Sequence, residues 1–203
     1  MTDETEAEGH RQKMAKRKEV QDAEVASKTV TEKGLLLVHT GAGKGKSTAA
    51  FGLVLRMLGQ GRACGVVQFI KGAWDTGERR VLERIGPLCE WHSMGEGFTW
   101  ETQDRDRDIA ACRAAWDKAR EMMAQPDLAL LVLDELCIAL RYKYLDADEV
   151  VATLRARRPG LHVVVTGRNA PAALTEVADL VTDMVPVKHH FAAGVKAQAG
   201  IEF

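Results

Sequence analysis

From residue 34 onward the chain alternates short apolar blocks with longer amphipathic stretches. The blocks at 35–38, 64–70, 88–91, 128–133, 161–165 and 180–185 are almost uniformly apolar. Such short, unbroken runs predict strands buried on both faces. Between them, 46–58, 78–85, 104–124, 146–158 and 171–178 carry helical spacing. Their ends meet Gly59, Gly86, Pro126 and Pro159, residues that stop helices for want of a Cβ or an N–H. Strand and helix in alternation imply right-handed crossovers and a mainly parallel sheet with helices on both faces. The expected fold class is therefore α/β, in three layers. In the longest helix Ile109, Cys112, Trp116, Ala119 and Met123 recur on one face, which marks them as core.

Residues 1–33 break this pattern. They are rich in Glu, Lys, Arg and Ala, with a ragged apolar stripe of Met14, Val20 and Val25 that cannot build a core alone. They are expected to be an extension, either a flexible tail or a helical flap, ahead of one domain at 34–203.

Charge and cysteine content narrow the function classes. The 28 basic and 29 acidic residues leave a formal charge of -1, so no overall field draws the chain to nucleic acid or an anionic membrane. Any anion must be captured locally. Cys64, Cys89, Cys112 and Cys137 form no C-x-x-C pair and read as reduced core thiols. His10, His39, His92 and His162 lack metal-ligand spacing. The charged N-terminus is not a secretory signal, and the run 128–133 is too short to span a bilayer, so a cytoplasmic protein is expected.

The first strand runs into Thr40, Gly41, Ala42, Gly43, Lys44, Gly45, Lys46 and Ser47, followed by Thr48 and a helix. This is a phosphate loop with Thr40 at the place of the usual first glycine. Successive backbone N–H groups at the start of a helix form an anion nest; Lys46 would neutralise terminal phosphate charge and the Ser47 hydroxyl would meet Mg²⁺. Lys44 is either a second phosphate contact or a solvated loop lysine. The apolar strand 130–133 ends in Asp134 and Glu135, acids placed to hold Mg²⁺ at the carboxyl edge of the sheet. Asp134 could equally cap the segment that follows. Arg168, after the strand 161–165, is a candidate phosphate or substrate clamp. These features specify a three-layer P-loop (RecA-like) fold that binds a nucleoside triphosphate.

Six blocks go further. They are 40–52, 66–72, 97–103, 133–136, 166–168 and 186–201, the last containing Lys188, His189, His190 and Lys196. Together, in this order, they resemble the ATP:corrinoid adenosyltransferases of the bacterial cobalamin pathway. The resemblance covers roughly 34–203 and implies attack of cobalt(I) of a reduced corrinoid on the ribose C5′ of ATP, with triphosphate leaving as a unit. It implies that Phe98 and Trp100 pack against the lower face of the corrin, and that the tail around Lys188 closes over phosphate or ribose. It implies a homodimer and an electron-donating flavoprotein or other reductase as partner. Cobalt(I) is itself the nucleophile, so Lys46 would serve by stabilising the leaving group, with Phe98 and Trp100 completing the catalytic set. The rival readings are a P-loop kinase or ATPase, which would release ADP or phosphate, and a carrier that binds both ligands without turnover.

Overall fold

The computed structural model describes residues 3–30, 32–70, 76–95 and 104–202. The chain divides into two compact units, Met1–Lys33 and Gly34–Phe203. Among its described residues the first holds one helix, α1 (Asp3–Ala26), of 24 residues. Val20 and Val25 on it are 61% and 60% exposed. Its regular contacts include pairs such as Lys18 with Asp22 at 3.1 Å, exposed ion pairs that each contribute only tenths of a kcal/mol, about 0.3–0.5.

The second unit is built on six parallel strands: β1 (Leu36–Thr40), β2 (Ala63–Gln68), β3 (Cys89–Ser93), β4 (Leu128–Asp134), β5 (His162–Thr166) and β6 (Leu180–Asp183). Their order across the sheet is β3-β2-β4-β5-β1-β6. One strand, β5, thus separates β1, which leads into the phosphate loop, from β4, which ends in the acids. Registers are regular there, with Val38 beside Val165 and Leu133 beside Val165. Residues of the inner strands β1, β2, β4 and β5 alternate between two cores, while β6 at the edge is exposed along its length. Leu130, Val132 and Val164 pack with Phe51 and Val54 of α2 (Lys46–Leu58) and Leu82 of α3 (Gly77–Arg84). Leu131, Leu133 and Val163 pack on the opposite face with Cys112, Trp116, Ala119 and Met122 of α4 (Arg105–Met123). Leu136 and Leu140 of α5 (Leu136–Arg141) and Leu154 of α6 (Ala147–Arg155) join that second core, as does Leu174 of α7 (Ala172–Val177). Each such fully buried aliphatic side chain contributes about 1.5–3 kcal/mol relative to exposure. The three-layer α/β architecture follows.

Differences from the sequence pattern have local causes. The apolar run 64–70 leaves the sheet after Gln68, and Phe69 N–H donates to Asp134 O at 3.0 Å as the chain bends. The helix expected over 146–158 stops at Arg155 because Arg157 and Arg158 turn inward to carbonyls. Arg157 donates to Leu154 O, Leu161 O and Gly34 O, and Arg158 to Gln125 O and Leu128 O. The short α5 was not separately expected. Among the described residues no helix is long and apolar enough to cross a membrane.

Candidate active site

The carboxyl ends of β1, β4 and β5 meet at one place and are tied together by backbone and hydroxyl groups. Gly167 N–H donates to His39 O at 3.2 Å, Ala170 N–H to the Thr40 hydroxyl at 3.1 Å, and Glu135 N–H to the Thr166 hydroxyl at 2.9 Å. Thr40, standing where a glycine is usual, therefore uses its side chain to anchor the loop after β5. On the other flank, Met184 N–H donates to Thr40 O at 2.9 Å and Gly43 N–H to Met184 O at 2.6 Å. A Cβ at Gly43 would lie 2.5 Å from that carbonyl oxygen, so the close approach of the chain after β6 requires glycine.

The loop then turns into α2, with Lys46 and Ser47 in its first turn. Lys46 is 8% exposed and its ammonium folds back onto the loop, donating to Gly41 O at 2.9 Å and Gly43 O at 2.5 Å. Burial holds its pKa below the ordinary lysine value; Glu135 opposes that shift, while Arg168 and Lys44 add to it by repulsion. A cation so placed gains from any anion delivered to the loop. Arg168 and Lys44, both exposed, thus bear on the same spot as Lys46.

Opposite, Asp134 is fully buried at the end of β4. Its Oδ1 accepts from the Ser47 hydroxyl at 2.7 Å and the Thr166 hydroxyl at 2.7 Å; its Oδ2 accepts from Gln68 Nε2 at 2.9 Å. Ser47 has one proton and gives it to Asp134, so the lone pairs of its oxygen are what it offers a cation. Hard oxygens of this kind, hydroxyl backed by carboxylate, suit Mg²⁺. Glu135, next along, takes the left-handed conformation with φ 63° and is the residue at the start of α5, with no side-chain cap. The cap position therefore falls to Glu135 rather than Asp134. Such a backbone for a non-glycine residue costs on the order of 1 kcal/mol and is held here by Thr166. Gly167, at φ 134°, leaves room: a Cβ there would come 2.8 Å from Cys137 Cβ and 3.3 Å from Glu135 Oε2.

These observations suit a site for a triphosphate and its cation, and they sit in a chain with close relatives. Residues 32–203 match the family described as ATP:corrinoid adenosyltransferase BtuR/CobO/CobP. The chain belongs to that family. Residues 1–25 match a second description, Cob(I)alamin adenosyltransferase N terminal. The corrinoid adenosyltransferase of Pseudomonas aeruginosa is 55% identical over 194 residues, 96% of this chain and 95% of its own length. That of a Sinorhizobium species is 53% identical over 196 residues, covering 96% and 91%, and CobA of Salmonella typhimurium is 47% identical over 196, covering 97% and 98%. The motif resemblance thus extends across nearly the whole chain, and the protein falls among transferases.

The remaining expected site residues differ in exposure and partners. Ala42 and Thr48 are exposed and Gly45 half-buried on the loop. Lys44 Nζ donates to Glu202 Oε2 of the C-terminal tail, and His190 Nε2 lies 3.1 Å from Glu202 Oε1. Lys188 is exposed, two residues before His190. Phe98 and Trp100 lie outside the described residues. Three participants had no role assigned from sequence: Gln68, Thr166 and Glu202. Gln68 and Thr166 lie within the blocks 66–72 and 166–168, and Gln68 also stands out as an amide closing an otherwise apolar strand.

Proposed function

We propose that the chain transfers the 5′-deoxyadenosyl group of ATP to cobalt(I) of a reduced corrinoid and releases triphosphate. The observation carrying this reading is the joining of a phosphate loop to a buried carboxylate, Ser47 to Asp134, in a member of the corrinoid adenosyltransferase family. Apart from Gly43, whose N–H is held by Met184 O, the loop N–H groups from Gly41 to Ser47 would bind phosphate oxygens, and Lys46 would exchange its two loop carbonyls for the triphosphate as negative charge gathers there. Ser47, oriented by Asp134, would hold Mg²⁺ together with Glu135 or Asp134. When bound, that ion would supply further charge compensation to the leaving group. Arg168 would clamp the outer phosphates. Fixed donors arranged before the bond breaks need no reorganisation during it, and cobalt(I) requires no side-chain base.

In this reading Phe98 and Trp100 contact the corrin, Lys188 belongs to a tail that closes over the nucleotide, and residues 1–33 form an extension, either a flexible tail or a helical flap. The protein works in the cytoplasm as a homodimer, receiving electrons from a flavoprotein or other reductase. An anaerobic assay with ATP, Mg²⁺ and chemically reduced cobalamin tests the central step: a photolabile adenosyl product and stoichiometric triphosphate are expected. Release of ADP or phosphate without corrinoid would instead indicate a kinase or ATPase, and binding of both ligands with no turnover a carrier.

A further inference from the structure

Gln68 ends β2 with 1% of its surface exposed, a polar side chain inside the apolar core of the sheet. Its surroundings define which way its amide points. Trp91 Nε1 approaches Gln68 Oε1 at 3.3 Å and Ser93 Oγ at 3.1 Å, and the Ser93 hydroxyl donates to Gln68 Oε1 at 2.8 Å. Arg79 Nη1 also donates to Ser93 Oγ, at 3.5 Å. An indole N–H only donates, and Ser93 already accepts from Trp91 and Arg79, so the serine proton goes to Gln68. Both neighbours therefore demand an oxygen from the amide. The NH₂ end is left facing Asp134 Oδ2, at 2.9 Å. The reverse rotamer would set two donors against donors and an oxygen against a carboxylate. Trp91 itself is braced by Phe51 of α2, ring centroids 5.0 Å apart, so the brace reaches back to the helix that the phosphate loop opens.

We propose that Gln68 is a positioning residue for the cation-binding end of the site, locked by Trp91 and Ser93 so that it fixes the Asp134 carboxylate beneath Ser47. The proposal rests on the reading of Ser47 and Asp134 as holders of Mg²⁺. With Oδ2 pinned by Gln68, Oδ1 faces the hydroxyls of Ser47 and Thr166. Loss of the amide removes the donor on Oδ2 and loosens the hold on the carboxylate that directs the Ser47 lone pairs toward the cation. Groups of this kind, one contact removed from the ion, typically alter metal affinity about 10–100-fold.

The test is calorimetric titration of the full chain with ATP, once with Mg²⁺ and once with EDTA. Gln68→Met keeps the length and removes both amide ends; Trp91→Phe with Ser93→Ala keeps Gln68 but removes the donors that orient it. Gln68→Met is expected to weaken Mg²⁺-dependent ATP binding about 10–100-fold while leaving binding in EDTA within about twofold. The Trp91→Phe/Ser93→Ala protein, more conservative for folding, is expected to lose about 3–10-fold in Mg²⁺ alone, and to add nothing further to Gln68→Met. Equal losses with and without Mg²⁺, or no loss in either variant, would overturn the proposal. Wild-type binding that ignores Mg²⁺ would overturn the metal reading beneath it as well, and that result is distinct because it needs no variant.

Discussion

The Ser47 hydroxyl donates to Asp134 Oδ1 at 2.7 Å, joining residues 87 positions apart. One proton and one acceptor set the direction of the serine lone pairs, and the buried carboxylate cannot turn elsewhere while Thr166 and Gln68 also hold it. The position needs a hydroxyl more than it needs serine.

Ser47→Ala should therefore lower kcat/KM for ATP about 100-fold and raise the Mg²⁺ concentration needed for half-maximal rate, whereas Ser47→Thr should stay within about fivefold of wild type. Steady-state rates over a Mg²⁺ series measure both. An alanine variant with normal Mg²⁺ dependence would remove Ser47 from the cation site.

Lys46 rests on Gly41 O and Gly43 O, so it is in place before nucleotide arrives. Lys46→Met should cost about 10²–10³-fold in adenosyl transfer, the scale of losing one fixed charge donor to a developing anion. No ADP should appear with either protein. Chromatography of the nucleotide and phosphate products decides this, and ADP formed by wild type would favour a phosphoryl-transfer enzyme.

Gly43 has the chain after β6 against it, with Met184 O 2.5 Å from where a Cβ would stand. Gly43→Ala must push β6 or the loop aside, and overpacking of this kind costs about 1–3 kcal/mol. Thermal denaturation should show the loss, and ATP binding should fall with it because the displaced element is the phosphate loop. A variant as stable as wild type would mean that the contact yields easily.

The parts of the site that could be read along the chain are those written locally. Lys46 and Ser47 stand at fixed offsets in a loop between strand and helix, and Asp134 closes an apolar run. Both are consequences of short-range pattern, as were the six strands and the helical stripe of Cys112, Trp116 and Ala119. Gln68 is different. Its meaning depends on Asp134, 66 residues away, and on Trp91 and Ser93 in a neighbouring strand, so only the order β3-β2-β4 reveals it. Glu202 pairs with Lys44 across 158 residues, a contact that no periodicity announces. For the short α5 the sequence offered Asp134 as a cap, but that carboxylate is taken by Ser47, Thr166 and Gln68, and the helix starts one residue later from a left-handed Glu135.

The cysteines offer a separate check on packing. Burial pushes the Cys64, Cys112 and Cys137 thiols up to about 12 and that of half-buried Cys89 to about 11. At about pH 8 almost none is thiolate, the form that reacts. A disulfide reagent should label native protein slowly, Cys89 first, and all four thiols at once in denaturant. Rapid labelling of Cys137 would contradict the packing drawn for α5.

His162 makes the acid side of the stability profile testable. Its Nδ1 accepts the Leu35 N–H at 3.2 Å, which requires the neutral ring at that nitrogen. Burial holds its pKa below the ordinary histidine value, and the charges of Arg62 and Arg157 push in the same direction. The unfolded chain therefore binds a proton at higher pH than the folded one. The contribution to stability is complete above the unfolded value, about 6.5, and is lost as pH falls through the lower folded value. His162→Asn can still accept from Leu35 through its amide oxygen but does not titrate. The drop in melting temperature between about pH 8 and about pH 5.5 should be smaller in that variant than in wild type. Parallel curves would show that His162 stays uncoupled from folding, and a steeper one in the variant would reverse the sign of the effect.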